Sequence, residues 1–507
     1  MKLKPAAIFS NDMVLQQGKP VPVWGTAAPG TVVHGRLDSA GITTEAAADA
    51  AGRWQLTLPP LPAGGPYTLA LRAGEEQTVF QNVWLGEVWL AGGQSNMELT
   101  LASSRDGAAV LARCADPRLH FYATPKVTTP EAATLAQSRW QPVRPGTAAD
   151  LSAVAYYVAA ALARALDVHV GILECFWGGT YAHCWMPRSL LATFPEGQAR
   201  LAWYDAQIGD KTDEQFAAEC KAYDTAVEAW NARISARRAA DPDVSWAVLN
   251  ADCGLYPWPP PAGRTAYQRP GNLYESMLRQ VCPYAVRGFW YYQGEQDEAW
   301  PQDYRALLAH LVRRWRADWG GELPFLLVQL PMYATGAGPD AWPTLRAAQA
   351  AVADAEPNCG LVVLADCGEA DNIHPTDKAV VGARLAQLAL DMVYVYGQPV
   401  EGRPPRLAEA SLAPGGQVQL RFVHTGGGLR LAGTGRGFQL AGADGVFAEA
   451  SARIVAPDLV VVHSPAVAAP RAVRYAWYNF GPAELYGGTG LAAAPLCARL
   501  PVEGFYP

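Results

Sequence analysis

The sequence predicts an α/β catalytic domain built on a parallel sheet and flanked by two small β domains. Three patterns carry that expectation. Residues 1–85 hold short strand-like runs between Gly/Pro turns, residues 86–398 alternate apolar runs with helix-forming segments, and residues 399–507 return to short strands. With 507 residues the chain exceeds one ordinary core, and roughly two to four domains is the natural expectation.

In the first region, Val21–Trp24, Thr31–Arg36, Trp54–Leu58 and Tyr67–Leu71 read as strands, punctuated by Ala28-Pro-Gly30, Asp49–Gly52 and Pro62–Pro66. Short, regularly spaced strands with such turns suggest a β-sandwich. Asn82–Ala91 is then an apolar, strand-like run. Ser152–Arg164 is a predicted helix leading into a strand at His169–Leu173. Val286–Tyr292 is a strand followed by a helix from Tyr304 to Trp315, and Pro324–Leu330 and Leu361–Ala365 are further strands. This alternation implies a parallel sheet with helices on both faces, whose sites lie beyond the carboxyl ends of the strands. Residues of about 200–265 break the rhythm with a polar helical stretch, Asp210–Ala240, and a stiff loop, Tyr256-Pro-Trp-Pro-Pro-Pro-Ala-Gly263. They read as an insertion that overhangs the site. After Pro404-Pro405, strands return at Gln417–Phe422, Leu429–Leu431, Leu459–Val462 and Val473–Trp477.

Half the residues are hydrophobic and 17% are charged, so the chain is globular. A net charge of −7 argues against nucleic acid and anionic membranes as partners. The nine cysteines are irregularly spaced and form no C-x-x-C pair, which points to free thiols in a reducing compartment and not to a metal site. The N-terminus has no signal-peptide core and no stretch reaches the length of a membrane span. A cytoplasmic chain is the resulting expectation. The many Trp and Tyr serve packing or, where exposed, stacking on sugar rings.

The candidate nucleophile is Ser95. It follows the Asn82–Ala91 strand and a Gly92-Gly93 turn, flanked by Gln94 and Asn96. A serine there faces the free N–H groups of a helix start, which favour an oxyanion. Its alternative role is a helix N-cap. A serine nucleophile needs a base and an orienting carboxylate. Of the eight histidines, His374 stands out, in the loop after the Leu361–Ala365 strand, with Asp371 three residues before it. Pro375 is expected to open a helix spanning Thr376–Leu390. His183 follows a glycine turn and could also approach. Oxyanion donors are expected from Gly178-Gly179, where a backbone N–H can approach a ligand closely, and from the Gln293 amide. These parts specify acyl transfer to water, with neither metal nor cofactor. The chain has no phosphate-binding glycine motif, and Gly93-Gln-Ser-Asn-Met97 is not the G-x-S-x-G elbow.

The motifs resemble those of the SGNH-type hydrolases, in the branch of sialate O-acetylesterases and related carbohydrate acetylesterases. Gly93-Gln-Ser-Asn-Met97 resembles the first block, Gly178-Gly-Thr180 with Trp185-Met-Pro187 the second, and Tyr292-Gln-Gly-Glu295 the third. Asp371-x-x-His374-Pro375, with Lys378 and Gly382, resembles the last. The resemblance extends to Met13–Gln16, Gly52–Trp54, Gly64–Pro66, Leu273–Met277 and Trp477–Asn479, essentially the whole chain.

The resemblance implies a flavodoxin-like three-layer α/β/α catalytic domain. It implies Ser95 as nucleophile, His374 as general base and Asp371 as the acid orienting it. It places the oxyanion on the N–H of Ser95, a glycine N–H (Gly178 or, preferred, Gly179) and Gln293. Gln94, Asn96, Glu295, Thr180 and His183 are the expected substrate contacts. The implied reaction is hydrolysis of O-acetyl esters of sialic acid through an acyl-enzyme. Acetylated xylan or another glycan is the alternative substrate. An inactive carbohydrate-binding protein is the alternative of another class. One departure stands out: after Gly294-Glu295 the family usually has Ser-Asn, and this chain has Gln296-Asp297.

Overall fold

Strand β1 (Glu76–Gly93) is the spine of the molecule. Its first half pairs antiparallel with the Gly64–Ala73 strand of the N-terminal region. Its second half, buried from Leu85 to Gly93, runs in the centre of a parallel sheet. The computed structural model describes residues 2–135, 137–242, 244–336, 338–394 and 400–500. Within them β1 joins the N-terminal strands and the catalytic strands into one mixed, eleven-stranded sheet. The position expected as the first domain boundary, between 85 and 86, therefore falls inside a continuous strand. The expected second boundary, between 398 and 399, lies outside the described residues.

The parallel strands are β1, β2 (Leu119–Ala123), β3 (Val170–Phe176), β4 (Gly288–Tyr292), β5 (Phe325–Val328) and β6 (Cys359–Val362), in the order β2-β3-β1-β4-β5-β6. Strand order reverses around β1. The crevice beyond its carboxyl end is where such sheets place their sites. The expected Leu361–Ala365 strand ends at Val362, because Val363–Ala365 already turn into the loop that carries His374.

The helices named below are α1 (Ser95–Glu98), α2 (Ala153–Leu166), α3 (Asp213–Ala240), α4 (Trp246–Cys253), α5 (Tyr304–Asp318), α6 (Ala341–Ala355) and α7 (Ala379–Met392). Side-chain alternation along β4 separates the two faces of the sheet. Phe289 and Tyr291 pack edge-on against Trp315 of α5. Trp290 points the other way and stacks on Trp89, whose Nε1 donates to the Tyr394 hydroxyl just beyond α7. On that face α2 and α7 meet closely at Gly382, where a Cβ would lie 2.3 Å from the Tyr157 Cβ. Helix α7 starts at Ala379, three residues later than the sequence suggests. Thr376 N–H is instead held by Glu369 Oε1 at 3.2 Å, which keeps Pro375 and Thr376 in the loop.

Gly93 ends β1 with φ +132°, and a Cβ there would sit 2.0 Å from the Tyr292 carbonyl oxygen. Only glycine lets β1 and β4 close up at the point where the turn to Ser95 begins. Gly93→Ala is expected to destabilise the protein by about 2–4 kcal/mol through strain and overlap, read as a lower urea midpoint. A midpoint unchanged from the wild type would contradict this packing.

The insertion consists of α3, α4 and the loop that follows them. Trp230, Ile234, Leu249 and Cys253 form its own small core, separate from the main one. Thr212 and Gln215 close a reciprocal cap on α3. The C-terminal region adds two four-stranded antiparallel sheets. It docks through Trp477-Tyr-Asn479: the Asn479 carbonyl accepts Tyr333 N–H at 2.9 Å and its side-chain oxygen accepts Trp342 N–H at 3.2 Å. All nine cysteines are free thiols. Among the described residues no helix is long and apolar enough to cross a membrane.

Candidate active site

Beyond the ends of β1, β3, β4 and β6 lies a cavity of about 750 Å³, walled on its far side by the insertion. Gln94, Ser95, Gly178, Gly179, Glu295, Asp371 and His374 all line it. Ser95 opens α1 directly after the Gly93 turn. Gln94 N–H donates to the Tyr292 carbonyl, and the Gln94 carbonyl accepts Met97 and Glu98 N–H, so the turn is fixed from both sides. Ser95 is therefore the first residue of the helix and not its cap, and its N–H has no backbone acceptor among the described residues.

Ser95 Oγ and His374 Nε2 are 2.8 Å apart. With Nε2 unprotonated, Ser95 O–H donates to it, which is the arrangement a general base requires. His374 N–H is held by Asn372 Oδ1 at 3.0 Å. Burial, and then the nearby Lys378 ammonium, push the imidazole pKa down to about 4. The base is thus neutral above that pH and is lost as pH falls through it. For the free enzyme the acid limb of kcat/KM is expected near pH 4, not near 6.5. A limb at 6 or above in kcat/KM would contradict this environment for the resting histidine.

Asp371 is not paired with His374. Its Oδ2 accepts Ala247 N–H at 3.3 Å. The first turn of α4, capped by Ser245, offers the carboxylate a free N–H and the positive end of a helix. The expected contact is thus replaced by one to the insertion, although both residues line the same cavity.

The Gln293 amide is also directed away from the reacting centre. It is fully buried, and its Nε2 donates to Asp297 Oδ2 at 2.7 Å, Thr180 O at 3.1 Å and Gln94 Oε1 at 3.2 Å. Asp297, one of the two residues that depart from the family pattern, captures it. The same carboxylate accepts Ala182 N–H at 3.0 Å, and burial raises its pKa to about 6. Gln94 is oriented the opposite way. Its Oε1 accepts Gly294 N–H, Gln296 N–H and Gln293 Nε2. That leaves its Nε2 as a donor beside Ser95 with no acceptor among the described residues.

The glycine pair divides its work. Gly178 N–H is occupied by Glu98 Oε2 at 2.6 Å, while Gly179, at φ +69°, keeps its N–H unbonded among the described residues. Thr180 and His183 are buried away from the cavity. The Thr180 hydroxyl bonds Trp177 O and Trp185 Nε1. His183 stacks on Tyr181 with centroids 4.7 Å apart. Local spacing could not show that this glycine turn directs its following residues into the core.

Asn96 ties the loops together and does not face the cavity. Its Nδ2 donates to Glu295 Oε1 at 2.6 Å and Ile373 O at 2.9 Å, and its Oδ1 accepts from Lys378 Nζ at 2.5 Å. Lys378 is buried, and its pKa is pushed down to about 8. The network bolts the nucleophile turn to the loops carrying Glu295 and His374. Glu295 Oε2 has no hydrogen-bond partner among the described residues, and burial raises its carboxyl pKa. Sequence reasoning missed Glu98, Trp177, Tyr267 and Tyr333 on the cavity wall. Glu98 lies three residues past the serine and pairs with Lys126. The aromatics carried no local signal distinguishing them from packing residues.

A serine bonded to a histidine beside free N–H donors, at the carboxyl edge of a parallel sheet, is an arrangement suited to acyl hydrolysis. Comparison with known proteins agrees. The carbohydrate esterase family described as sialic acid-specific acetylesterase matches residues 258–391. Sialate O-acetylesterase of Mus musculus is 24% identical over 417 residues, covering 75% of this chain and 71% of its own length. That of Homo sapiens is 25% identical over 431 residues, covering 77% and 71%. The crystal structure of a carbohydrate acetylesterase from Xanthomonas citri superposes with a TM-score of 0.77 at 30% identity, covering 98% of this chain and 99% of that one. The chain belongs to the sialate O-acetylesterase-like carbohydrate acetylesterases and is a carboxylic ester hydrolase.

Proposed function

We propose that the protein removes O-acetyl groups from a carbohydrate through an acyl-enzyme on Ser95, within an SGNH-type α/β/α domain. The observation that carries this reading is the 2.8 Å contact between Ser95 Oγ and His374 Nε2 at the floor of the cavity. Ser95 Oγ attacks the acetyl carbonyl and passes its proton to His374 Nε2. The oxyanion is held by the N–H groups of Ser95 and Gly179 and by Gln94 Nε2. The sugar alcohol leaves with the proton from His374. Water, deprotonated by the same nitrogen, then releases acetate and frees Ser95.

Asp371 completes the triad by exchanging Ala247 N–H for His374 Nδ1 as substrate binds. Its position three residues before His374, on the same wall, supports this. Catalytic hydrogen bonds that are loose in an unliganded site often tighten in the complex.

The names of the relatives point to O-acetyl sialic acid. The cavity wall favours a neutral sugar instead. Glu98, Glu295, Glu298 and Asp371 line it, and no Lys or Arg does so among the described residues. Lys126, which lies over the Trp177 ring, is already paired with Glu98, so a carboxylate-bearing sugar would have to compete for it.

Gln94→Glu tests the oxyanion assignment. It keeps the acceptor for Gly294 and Gln296 but removes the donor and adds a charge. Loss of one such donor costs about 10²–10³ in kcat, measured as acetate release from an acetylated sugar with the melting curve as control. A kcat within about threefold of the wild type would return the role to another group.

A further inference from the structure

The insertion brings a set of aromatic side chains to the cavity that the hydrolysis itself does not use. We propose that this wall is a subsite for a sugar unit adjoining the acetylated one, so that the enzyme acts on neutral O-acetylated oligosaccharides in preference to acetylated monosaccharides. The proposal rests on the acetyl-carbohydrate reading above.

Trp246, Tyr256 and Trp258 face the cavity from the insertion, and Trp177 and Tyr267 face it from the catalytic domain. Trp177 and Tyr267 are stacked nearly parallel, with centroids 4.8 Å apart at 5°. From the insertion, Trp246 lies parallel to Trp230 at 6.3 Å and 8°, and Tyr256 stands edge-on to Trp230 at 5.1 Å. The cavity thus takes aromatic side chains from both the catalytic domain and the insertion, along with Ser95.

Tyr256 is 41% exposed and Trp258 is 44% exposed, although either could bury its ring in a core. An exposed aromatic group continuous with an active site is a binding surface by the physics of apolar patches. Its position is built in. Trp230 Nε1 donates to Gly254 O at 2.8 Å and Arg233 Nε to Cys253 O at 3.1 Å, anchoring the start of the loop. Pro257, Pro259, Pro260 and Pro261 then restrict its backbone. At its tip Trp258 covers Gly179, where a Cβ would lie 2.4 Å from the indole. The platform therefore reaches the oxyanion glycine itself, and a sugar stacked on it adjoins the reacting ester.

The chemistry of the wall selects the occupant. Pyranose rings present apolar C–H faces to aromatic rings and hydroxyl donors to carboxylates. Glu295, whose Oε2 is buried and without a hydrogen-bond partner among the described residues, belongs to this wall. A cavity of about 750 Å³ exceeds what one acetylated ring fills.

The test compares kcat/KM of the full chain on O-acetylated xylose, O-acetylated xylotriose, 9-O-acetyl sialic acid and p-nitrophenyl acetate. Wild type is expected to prefer the trisaccharide over the monosaccharide by about tenfold or more. Tyr256→Ala and Trp246→Ala are expected to reduce that ratio toward one, chiefly through KM. As a second measurement, a Ser95→Ala chain should bind O-acetylated xylotriose more tightly than O-acetylated xylose. Equal rates on the two sugars, or variants that keep the preference, would overturn the subsite. Preference for 9-O-acetyl sialic acid would overturn the neutral occupant. Hydrolysis of p-nitrophenyl acetate but of none of the sugars would remove the carbohydrate reading beneath it and leave the esterase in place.

Discussion

Replacing Ser95 by alanine is expected to lower kcat by roughly five to six orders of magnitude while leaving the fold intact. Among the described residues the serine side chain makes one hydrogen bond, to His374 Nε2. The turn that holds it relies on the backbone of Gln94 and on Gly93, neither of which changes. Alanine is also a good residue for the first turn of a helix. A melting curve superimposable on that of the wild type, with no acetate released above background, is the expected pair of results. Residual activity within a hundredfold of wild type would show that water, and not the serine, attacks the ester, as an activated hydroxide would.

Asp371→Asn is the second large effect. Asparagine keeps the shape and can still accept Ala247 N–H through Oδ1, so the contact to α4 survives. What it loses is the negative charge that would steady the imidazolium once Ser95 has given up its proton. It also presents an amide donor to Nδ1 and so favours the wrong tautomer. Substitutions of this kind in serine hydrolases cost on the order of 10³–10⁴ in kcat. The same exchange predicts a split between pH profiles. The acid limb of kcat/KM reports free His374, near pH 4. The limb of kcat reports the complex, where a carboxylate on Nδ1 raises the histidine pKa. In Asp371→Asn that upward displacement is expected to disappear. A variant with nearly full kcat and an unchanged profile would mean that Asp371 remains with α4 throughout turnover.

Much of this arrangement is legible in the amino-acid order. Apolar runs locate the parallel strands, and the Gly92-Gly93 pair, which the structure places at the end of β1, locates Ser95. The loop after β6 offers one histidine suited to reach it. These features are local: a strand period, a glycine that must adopt positive φ, a loop that must leave the sheet. What escapes is set by residues distant in sequence. The carboxylate of Asp371 is held by Ala247, a residue of the insertion. The direction of the Gln293 amide is decided by the buried carboxylate of Asp297, and this frees Gln94 for the opposite orientation. Thr180 and His183 sit beside the right glycines yet turn into the core, where Trp185 and Tyr181 receive them. The continuity of β1 across 85/86 escapes as well, because one strand serves two regions, alternating in its first half and buried throughout its second.

The insertion also alters how the catalytic loop is to be understood. It bonds Asp371 through α4 and covers Gly179 through Trp258, so it touches both ends of the reaction machinery. Its own core packs separately from that of the sheet beneath.

The central claim is that His374 activates Ser95 as a nucleophile. Labelling with a serine-directed fluorophosphonate, followed by peptide mapping, tests it most directly. The account predicts one label per chain, on the peptide containing Ser95, and its loss in His374→Ala with the fold retained. A label on another serine, or labelling of Ser95 undiminished by His374→Ala, would contradict it.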